Sequence, residues 1–385
     1  MPFRHRLQPL KHLILAAGCT LAALLCLAAT ASADLVDNAK QECVYTAHMI
    51  SILDQFDSMI GENVNCVQVY IASPNWQGWV SPWFINYYDP NSDWSQWATT
   101  AGPTRQLIIT QSLVPSQVPS QSNWLQLGAE GAYTSYDKQF AANLVAAGLG
   151  DSVIRLSPES NGTWNADSLG TTPAQWRLWD DTWDLTVAAM RSVPGANFQF
   201  DFNIAALYRP LPLAQIYPGD AYVNFIGVDA YDSGNLGDTA AERWNTAYNG
   251  TDGIAAVAAF ATVHNKPFSI PEWGIAPVSD GGFGDDPTFV NGIASVVENT
   301  DTAYQSYFYN YGNATQLEDG PLSLAAYIAA FGPNGTAVGE GGIVDSLAEA
   351  ARARISAPVS ARPAAKTHRH AGRSGRRRKA QRPQR

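Results

Sequence analysis

The most constraining feature of this 385-residue chain is a regular alternation of short apolar runs with stretches that have helical spacing. The apolar runs are rich in β-branched and aromatic residues, which favours strands, and the stretches between them favour amphipathic helices. The predicted strands are Val64–Ser73, Gln106–Ser112, Val153–Pro158, Phe198–Ile204, Val223–Tyr231, Pro267–Trp273 and Tyr304–Tyr311, with an eighth near Cys43–Met49. Helical spacing lies between them, as in Ile52–Ile60, Phe140–Val145, Trp176–Val187 and Ile254–Ala261. Eight strand–helix units predict a closed, parallel (β/α)8 TIM barrel; an open, doubly wound sheet is the alternative.

The N-terminal end of the chain predicts export. A positively charged stretch (residues 4–11) precedes an apolar run (13–27), and small residues follow at 31–33. This is the layout of a secretory signal peptide spanning residues 1–33. A retained membrane anchor and a lipoprotein modified at Cys19 are the alternatives, but the apolar run is short for a span of about 20 residues. We therefore expect a secreted protein, extracellular or cell-wall associated, with no membrane insertion after signal cleavage.

The C-terminal end (residues 352–385) differs from the body of the chain (34–351) in composition and charge. It contains twelve Lys and Arg, no acid and almost no large apolar residue, so we expect it to be disordered. The body keeps nine Lys and Arg against 34 Asp and Glu, a formal charge of −25. Such an acidic body repels nucleic acid, which excludes nucleic-acid-binding functions. The basic tail is expected to contact an anionic cell-wall polymer, to lie on the acidic body, or to be solvated without a partner.

Cysteine usage and known motifs limit the cofactor chemistry. Cys43 and Cys66 remain after signal removal and form either one disulfide or two separate thiols. Two cysteines cannot build an all-cysteine zinc site. The acidic, glycine-rich stretch 280–286 lacks the ligand spacing of an EF-hand, and the chain has no P-loop, dinucleotide fingerprint or nucleophile elbow. We expect a single-domain monomer without a metal or cofactor.

Two glutamates at the ends of predicted strands carry the chemistry. Glu159 follows the strand that begins at Val153, and the alternation of side chains places Arg155 on the same face. Glu272 ends the strand that begins at Pro267. In a barrel of this type, reactive residues collect at the carboxyl ends of the strands. A pair of carboxyl groups is what glycoside hydrolysis needs, one as acid and one as carboxylate.

Aromatic residues accompany both glutamates. Trp164 and Trp273 lie near Glu159 and Glu272 in the sequence, and Tyr231 ends the preceding strand, two residues after Asp229. A Tyr231 hydroxyl at that place can donate a hydrogen bond to Glu272 and hold it as a carboxylate.

Eight more aromatic residues crowd the segment after the strand at Val64, which proline, glycine and asparagine mark as a loop. Flat indole rings suit the apolar faces of sugars. We expect Trp76 or Trp79 to be a sugar platform.

Three segments resemble glycoside hydrolase family 26. They are Arg155–Trp164 with Asn161-Gly162 after the acid, Tyr217–Val223 followed by Ile226–Tyr231, and Lys266-Pro267 followed by Glu272-Trp273-Gly274. The resemblance covers roughly residues 106–311 and implies a (β/α)8 barrel that retains anomeric configuration.

Carried over residue by residue, the resemblance gives each position a role. Glu159 resembles the acid/base, Glu272 the nucleophile, and Tyr231 the tyrosine that orients it. Arg155, Asn161, Trp164 and Trp273 are expected to bind substrate with Tyr231 and the platform tryptophans. Pro158 departs from the family pattern, in which mannanases place a histidine just before the acid.

The sequence therefore predicts a secreted, retaining endo-β-glycanase, with β-1,4-mannan as the best substrate. An endo-β-glucanase or β-xylanase of the same family is one alternative. A barrel that binds polysaccharide without cutting it is the other.

Overall fold

The computed structural model describes residues 41–100, 105–121, 123–309 and 316–333, which form a closed barrel of eight parallel strands. The strands are β1 (Gln41–Tyr45), β2 (Cys66–Ile71), β3 (Gln106–Gln111), β4 (Val153–Leu156), β5 (Gln199–Ala205), β6 (Phe225–Asp232), β7 (Phe268–Ile275) and β8 (Thr302–Phe308). Each strand pairs with the next in sequence, and β1 pairs with β8. This closure confirms the predicted (β/α)8 TIM barrel and makes the open-sheet alternative wrong. All eight predicted strands are present, with ends shifted by a few residues.

Helices surround the barrel. They are α1 (Ile50–Ile60), α2 (Trp76–Val80), α3 (Trp94–Thr100), α4 (Trp124–Ala129), α5 (Thr134–Ala146), α6 (Pro173–Arg191), α7 (Leu213–Ile216), α8 (Ala240–Asn249), α9 (Ile254–Val263), α10 (Pro287–Asn299) and α11 (Pro321–Phe331). The aromatic segment after β2, predicted to be a loop, contains the short helices α2 and α3. Within the part of the chain that the structure describes, no helix is long and apolar enough to cross a bilayer. The predicted signal peptide and the basic tail lie outside the described residues.

The interior of the barrel changes from apolar to polar along the strands. At the amino-terminal end, a separate apolar cluster contains Cys43, Cys66, Ile108, Val153, Phe225 and Tyr304. Cys43 of β1 and Cys66 of β2 are adjacent in register and form a disulfide, which decides between the two predicted states. Two residues further along the strands the buried positions include Gln68, Thr110 and Arg155. Since side chains of a strand alternate between faces, these polar groups point inward toward the carboxyl end.

Asp137 is a charged residue in the helix layer, where α5 packs against α6. Its side chain is 1 % exposed, and the Thr186 hydroxyl lies 3.4 Å from one carboxylate oxygen. The other carboxylate oxygen has no hydrogen-bond partner among the residues that the structure describes. Burial raises the pKa of the Asp137 carboxyl to about 8, with the Thr186 hydrogen bond acting in the opposite direction. The protonated acid is thus the form that the fold accommodates.

The first prediction concerns stability against pH. Because the folded-state pKa of Asp137 is raised, its protonated form stabilises the fold fully below the unfolded pKa, near 4. That contribution is lost as pH rises toward 8, at up to about 1.4 kcal/mol per pH unit. We expect Asp137→Asn to be close to wild type below pH 4 and to become the more stable protein as pH rises, by more at pH 8 than at pH 5, measured by urea unfolding. Asp151→Asn, at an exposed site just before β4, is the control. An equal stability difference between Asp137→Asn and wild type at both pH values would contradict this assignment.

Candidate active site

Two glutamates meet at the carboxyl end of the barrel. Glu159 lies three residues beyond the end of β4, and Glu272 lies within β7. One carboxylate oxygen from each of Glu159, Glu272 and Asp229 lies within 4.8 Å of the other two. The structure therefore brings together the two carboxyl groups that the sequence singled out, with Asp229 of β6 beside them.

A bulge in β7 aims Glu272 into the barrel. Ile270 and Trp273 of β7 pair with Gln305 and Tyr307 of β8, so β7 has one extra residue in this interval. The pairing of β7 with β6 shifts over the same interval. Pro271 lies there and cannot donate a ladder hydrogen bond, which favours a bulge. The extra residue reverses the alternation, so that Glu272 faces the site.

The same bulge turns Trp273 away from the site. Its indole is fully buried, donates to Gln305, and packs against Tyr307 of β8 and Tyr327 of α11. The prediction that Trp273 binds substrate is wrong, because its ring packs in the layer between barrel and helices.

Three donors hold the Glu272 carboxylate. The Tyr231 hydroxyl donates to Oε2 at 2.7 Å, as predicted from the sequence. The Tyr70 hydroxyl and the Arg155 guanidinium both donate to Oε1. The carboxyl group is thus fixed in position by two hydroxyls and a guanidinium.

Arg155 is the central cation of the site. Its guanidinium is 0 % exposed and contacts Glu272 through Nη1, Asp229 through Nη2 and the Asn203 amide oxygen through Nε at 3.0 Å. The prediction that Arg155 binds substrate is wrong, because the buried guanidinium is enclosed by these side chains. It acts on Glu272 instead.

The backbone after β4 is strained where Glu159 lies. Ser157 and Glu159 have φ angles of 50° and 48°, in the left-handed region that residues with a Cβ rarely adopt. Contacts with β3 and β5 hold this turn, since Ser157 N donates to Gln111 O at 2.7 Å and Glu159 N donates to Asn203 Oδ1 at 3.4 Å. The turn fixes Glu159 opposite Glu272.

Glu159 is held in an environment that favours its protonated form. Burial, and then the negative charge of Glu272, raise the pKa of Glu159 to about 7, against the opposing effects of Arg155 and Trp164. The Trp164 indole N–H donates to Glu159 Oε2. Trp164 is itself 51 % exposed, and its contact with substrate stays a prediction.

The Asn161-Gly162 turn supports Trp164. A Cβ at residue 162 would lie 2.6 Å from the Trp164 ring and 2.9 Å from Glu159 O, so only glycine permits this approach. Asn161 is 1 % exposed; its amide donates to Ala205 O and Tyr208 O, and its oxygen accepts from Ala205 N. The prediction that Asn161 binds substrate is wrong, because its side chain is consumed in joining this turn to β5.

The predicted tryptophan platform after β2 lies in the helix layer. Trp79 is 0 % exposed and donates to Ser112 O, so its prediction as a sugar platform is wrong. Trp76 is partly buried and stacks on Tyr136 of α5, with 4.1 Å between ring centroids and 9° between planes. These rings pack α2 against its neighbours.

Sequence reasoning missed several residues that the structure places beside the two acids. Tyr70 contacts Glu272, and Tyr208 packs its ring against Trp164 at 4.5 Å and is 37 % exposed. Asn203 joins Arg155 to the Glu159 turn. Tyr70 and Asn203 both lie in apolar strands at inward positions, so the polar residue of an otherwise apolar strand was the available signal.

The acid cluster is the group of described residues whose spacing could hold a metal ion. Arg155, however, contacts the carboxylates of both Asp229 and Glu272. A metal ion bound to these oxygens would face a fixed positive charge in a buried site, which opposes its binding. The residues fit an organic acid–base site better than a metal centre.

The second prediction concerns the proton on Glu159. We expect Glu159 to titrate with a pKa of about 7 in 13C NMR of glutamate-labelled protein, its signal being identified by its loss in Glu159→Gln. Glu272→Gln removes a neighbouring negative charge and should lower this pKa. Glu130→Gln, at an exposed position directly after α4, should leave the pKa of Glu159 unchanged. A Glu159 signal that titrates identically in Glu272→Gln and wild type would show that the two acids are not coupled.

Neither a family model nor a curated protein sequence matches the chain. Solved structures do match its fold. A mannanase from Bacillus subtilis shares 15% identity at a TM-score of 0.51, over 77% of this chain and 86% of that one. A modular endo-β-1,4-mannanase from Cellulomonas fimi shares 16% at 0.53, over 77% and 72%. A family 26 β-mannanase from Bacteroides ovatus shares 13% at 0.52, over 77% and 89%. Likeness at such low identity concerns the fold, and this chain is a (β/α)8 barrel similar to those of the family 26 β-mannanases.

Proposed function

We propose that this chain is a retaining endo-β-glycanase of the family 26 type, with Glu159 as acid/base and Glu272 as nucleophile. The observation that carries the proposal is the placement of the two carboxyl groups, whose oxygens lie within 4.8 Å of each other. Retaining enzymes hold their carboxyl groups about 5 Å apart, whereas inverting enzymes leave about 6.5 Å or more for a water.

The opposite environments of the two acids support the assignment of roles. Burial and the charge of Glu272 raise the pKa of Glu159 to about 7, so it holds a proton under mildly acidic conditions. Glu272 receives hydrogen bonds from Tyr70, Arg155 and Tyr231, which suit a carboxylate. The first acid can therefore donate a proton while the second attacks.

The reaction has two steps. First, Glu272 attacks the anomeric carbon, the bond from that carbon to the glycosidic oxygen breaks, and Glu159 gives its proton to the departing oxygen. Then a water attacks the glycosyl ester, Glu159 takes the proton of that water, and Glu272 leaves as a carboxylate. Glu159 ends protonated, and the configuration is retained after two inversions.

The proposed substrate is a β-linked polysaccharide, with β-1,4-mannan as the best candidate. The sequence resemblance to family 26 and the mannanases among the similar structures support this choice. The exposed rings of Trp164 and Tyr208, beside the proposed proton donor, provide apolar surface for the sugar that leaves. Pro158 in place of the family's histidine leaves mixed-linkage β-glucan and β-1,3-xylan as the alternatives to test.

The third prediction concerns which of four polysaccharides the protein hydrolyses. We expect reducing-sugar release from galactomannan or glucomannan, with less or none from barley β-glucan and β-1,3-xylan. Glu159→Ala and Glu272→Ala should each lose at least about 100-fold in kcat/KM on polysaccharide, because each removes a reacting group. Glu130→Ala, at an exposed position, is the control.

Azide distinguishes the two roles. With an aryl glycoside whose leaving group needs no proton, Glu159→Ala plus azide should give a glycosyl azide of retained configuration. Glu272→Ala plus azide should give the inverted product, because azide then replaces the nucleophile. The opposite pairing of variant and product would reverse the roles; wild-type binding to polysaccharide without hydrolysis would favour the non-catalytic barrel.

We further propose that the chain is exported and that its signal is removed after Ala33. The basic residues, apolar run and small residues of the N-terminal segment support this, and the Cys43–Cys66 disulfide suits an oxidising compartment. We propose in addition that the basic tail contacts an anionic cell-wall polymer.

The fourth prediction tests export. In an expressing cell, N-terminal sequencing of the protein from the medium or cell wall should begin at Asp34. Ala33→Phe should block cleavage, because signal peptidase sites need small residues. Wild-type protein that stays in the membrane fraction with residues 1–33 attached would support the membrane anchor. Wall binding of the full-length protein that salt reverses, and that is lost when residues 352–385 are deleted, would support the role of the tail.

A further inference from the structure

Tyr70 is a half-buried side chain at the proposed nucleophile that family resemblance does not account for. It lies in β2, two residues beyond Gln68, and its ring packs edge-on against Tyr45 at 5.1 Å. Its hydroxyl donates to Glu272 Oε1, the oxygen that also receives Arg155. Glu272 is thus held by a tyrosine from each side, Tyr70 at Oε1 and Tyr231 at Oε2.

Two fixed donors set the direction of the Tyr70 proton. Gln68 Nε2 lies 2.8 Å from the phenol oxygen and Arg155 Nη1 lies 3.1 Å from it. A phenol oxygen has two acceptor positions and one proton. With N–H groups directed at the oxygen from Gln68 and Arg155, the proton of Tyr70 is directed at Glu272.

The phenol also stays protonated. Burial, and then the charge of Glu272, raise the pKa of Tyr70 well above its ordinary value. Gln68 is itself 0 % exposed and donates to Thr110 Oγ1 at 3.1 Å, so its amide is fixed by the next strand. The donor that faces Glu272 is therefore built into the wall of the barrel and needs no rearrangement when substrate arrives.

We propose that Tyr70, whose proton is directed by Gln68, is a positioning residue for Glu272. Its hydrogen bond to Oε1 makes Oε2 the oxygen that attacks. This inference rests on the proposed function. Among the described residues, Oε1 receives two donors, one of them cationic, whereas Oε2 receives one, the Tyr231 hydroxyl. More of the negative charge at Oε1 is therefore neutralised, which leaves Oε2 as the oxygen that bonds to the anomeric carbon.

The different roles of Oε1 and Oε2 affect both steps of the proposed reaction. When Oε2 forms the glycosyl ester, Oε1 becomes its carbonyl oxygen and keeps the hydrogen bonds from Tyr70 and Arg155. When water attacks the ester, the bond from Oε2 to the anomeric carbon breaks and its electron pair returns to the carboxylate. Donors already aimed at Oε1 stabilise that returning charge without reorganisation.

Tyr70→Phe tests the proposal, because it removes the donor and keeps the ring. We expect kcat/KM on the preferred polysaccharide to fall about 10- to 100-fold, the effect of losing one hydrogen bond to a charged group. The acidic limb of the pH profile should move to higher pH, since a carboxylate with one donor fewer is protonated more easily. Labelling of Glu272 by a 2-deoxy-2-fluoroglycosyl fluoride should slow by a similar factor.

Tyr304→Phe is the matched control. The Tyr304 hydroxyl also donates to a buried carboxylate, that of Asp201, but Tyr304 belongs to the apolar cluster at the other end of the barrel. This variant should keep kcat/KM within about twofold and leave the acidic limb in place, whatever it costs in thermal stability. Gln68→Met should resemble Tyr70→Phe with a smaller loss, about 3- to 10-fold, because the phenol remains but its proton is less well directed.

The outcomes separate the inference from the function on which it rests. If wild type hydrolyses polysaccharide and the fluoroglycoside labels Glu272, the proposed function holds. Tyr70→Phe that then behaves like Tyr304→Phe, with an unmoved acidic limb and unchanged labelling, overturns the role of Tyr70. If wild type neither hydrolyses nor is labelled, the proposed function fails first and the role of Tyr70 falls with it.

Discussion

The site depends on one buried cation. Arg155 lies in β4 with no exposure to solvent, and its guanidinium reaches Asp229 of β6, Glu272 of β7 and Asn203 of β5. A buried guanidinium costs several kcal/mol of desolvation unless nearby acceptors and negative charges compensate it, and removing one partner typically costs about 3 to 5 kcal/mol. The acids at the end of the barrel are consequently structural partners of Arg155 as well as chemical groups. Fold stability and the position of Glu272 rest on the same contacts.

Local irregularities carry both glutamates on an otherwise regular barrel. The extra residue of β7 turns Glu272 inward, and left-handed backbone at Ser157 and Glu159 carries the second acid out of line with β4. Such distortions are unfavourable by themselves and persist when the surroundings over-determine them. Here the surroundings are the neighbouring strands β3, β5, β6 and β8, whose pairing closes the barrel. The regular part of the fold thus holds the irregular part in place.

The sequence predicted most of the strands and helices because the spacing of apolar residues indicates directly which faces are buried. All eight strands, the barrel class, the meeting of Glu159 and Glu272, and the Tyr231–Glu272 hydrogen bond followed from period, strand ends and resemblance. Trp273 did not, because a single inserted residue in β7 reverses which side chains face inward, and period cannot reveal a bulge. Tyr70 was missed, and Trp79 was wrongly predicted to bind sugar, for a related reason. The sequence does not show whether an aromatic residue in an apolar run packs in the helix layer, as Trp79 does, or faces an acid inside the barrel, as Tyr70 does.

The burial of Asn161 bears on how the protein can be produced. Asn161-Gly162-Thr163 matches the acceptor sequence for N-glycosylation, yet the Asn161 amide is bonded on both sides within the turn that carries Glu159. A glycan attached there during eukaryotic secretion would keep the turn after β4 from closing. Replacing Thr163 would remove the acceptor sequence but also the hydroxyl that contacts Tyr208 at 2.8 Å. A bacterial host that does not attach N-glycans therefore suits this chain better than secretion from yeast or animal cells.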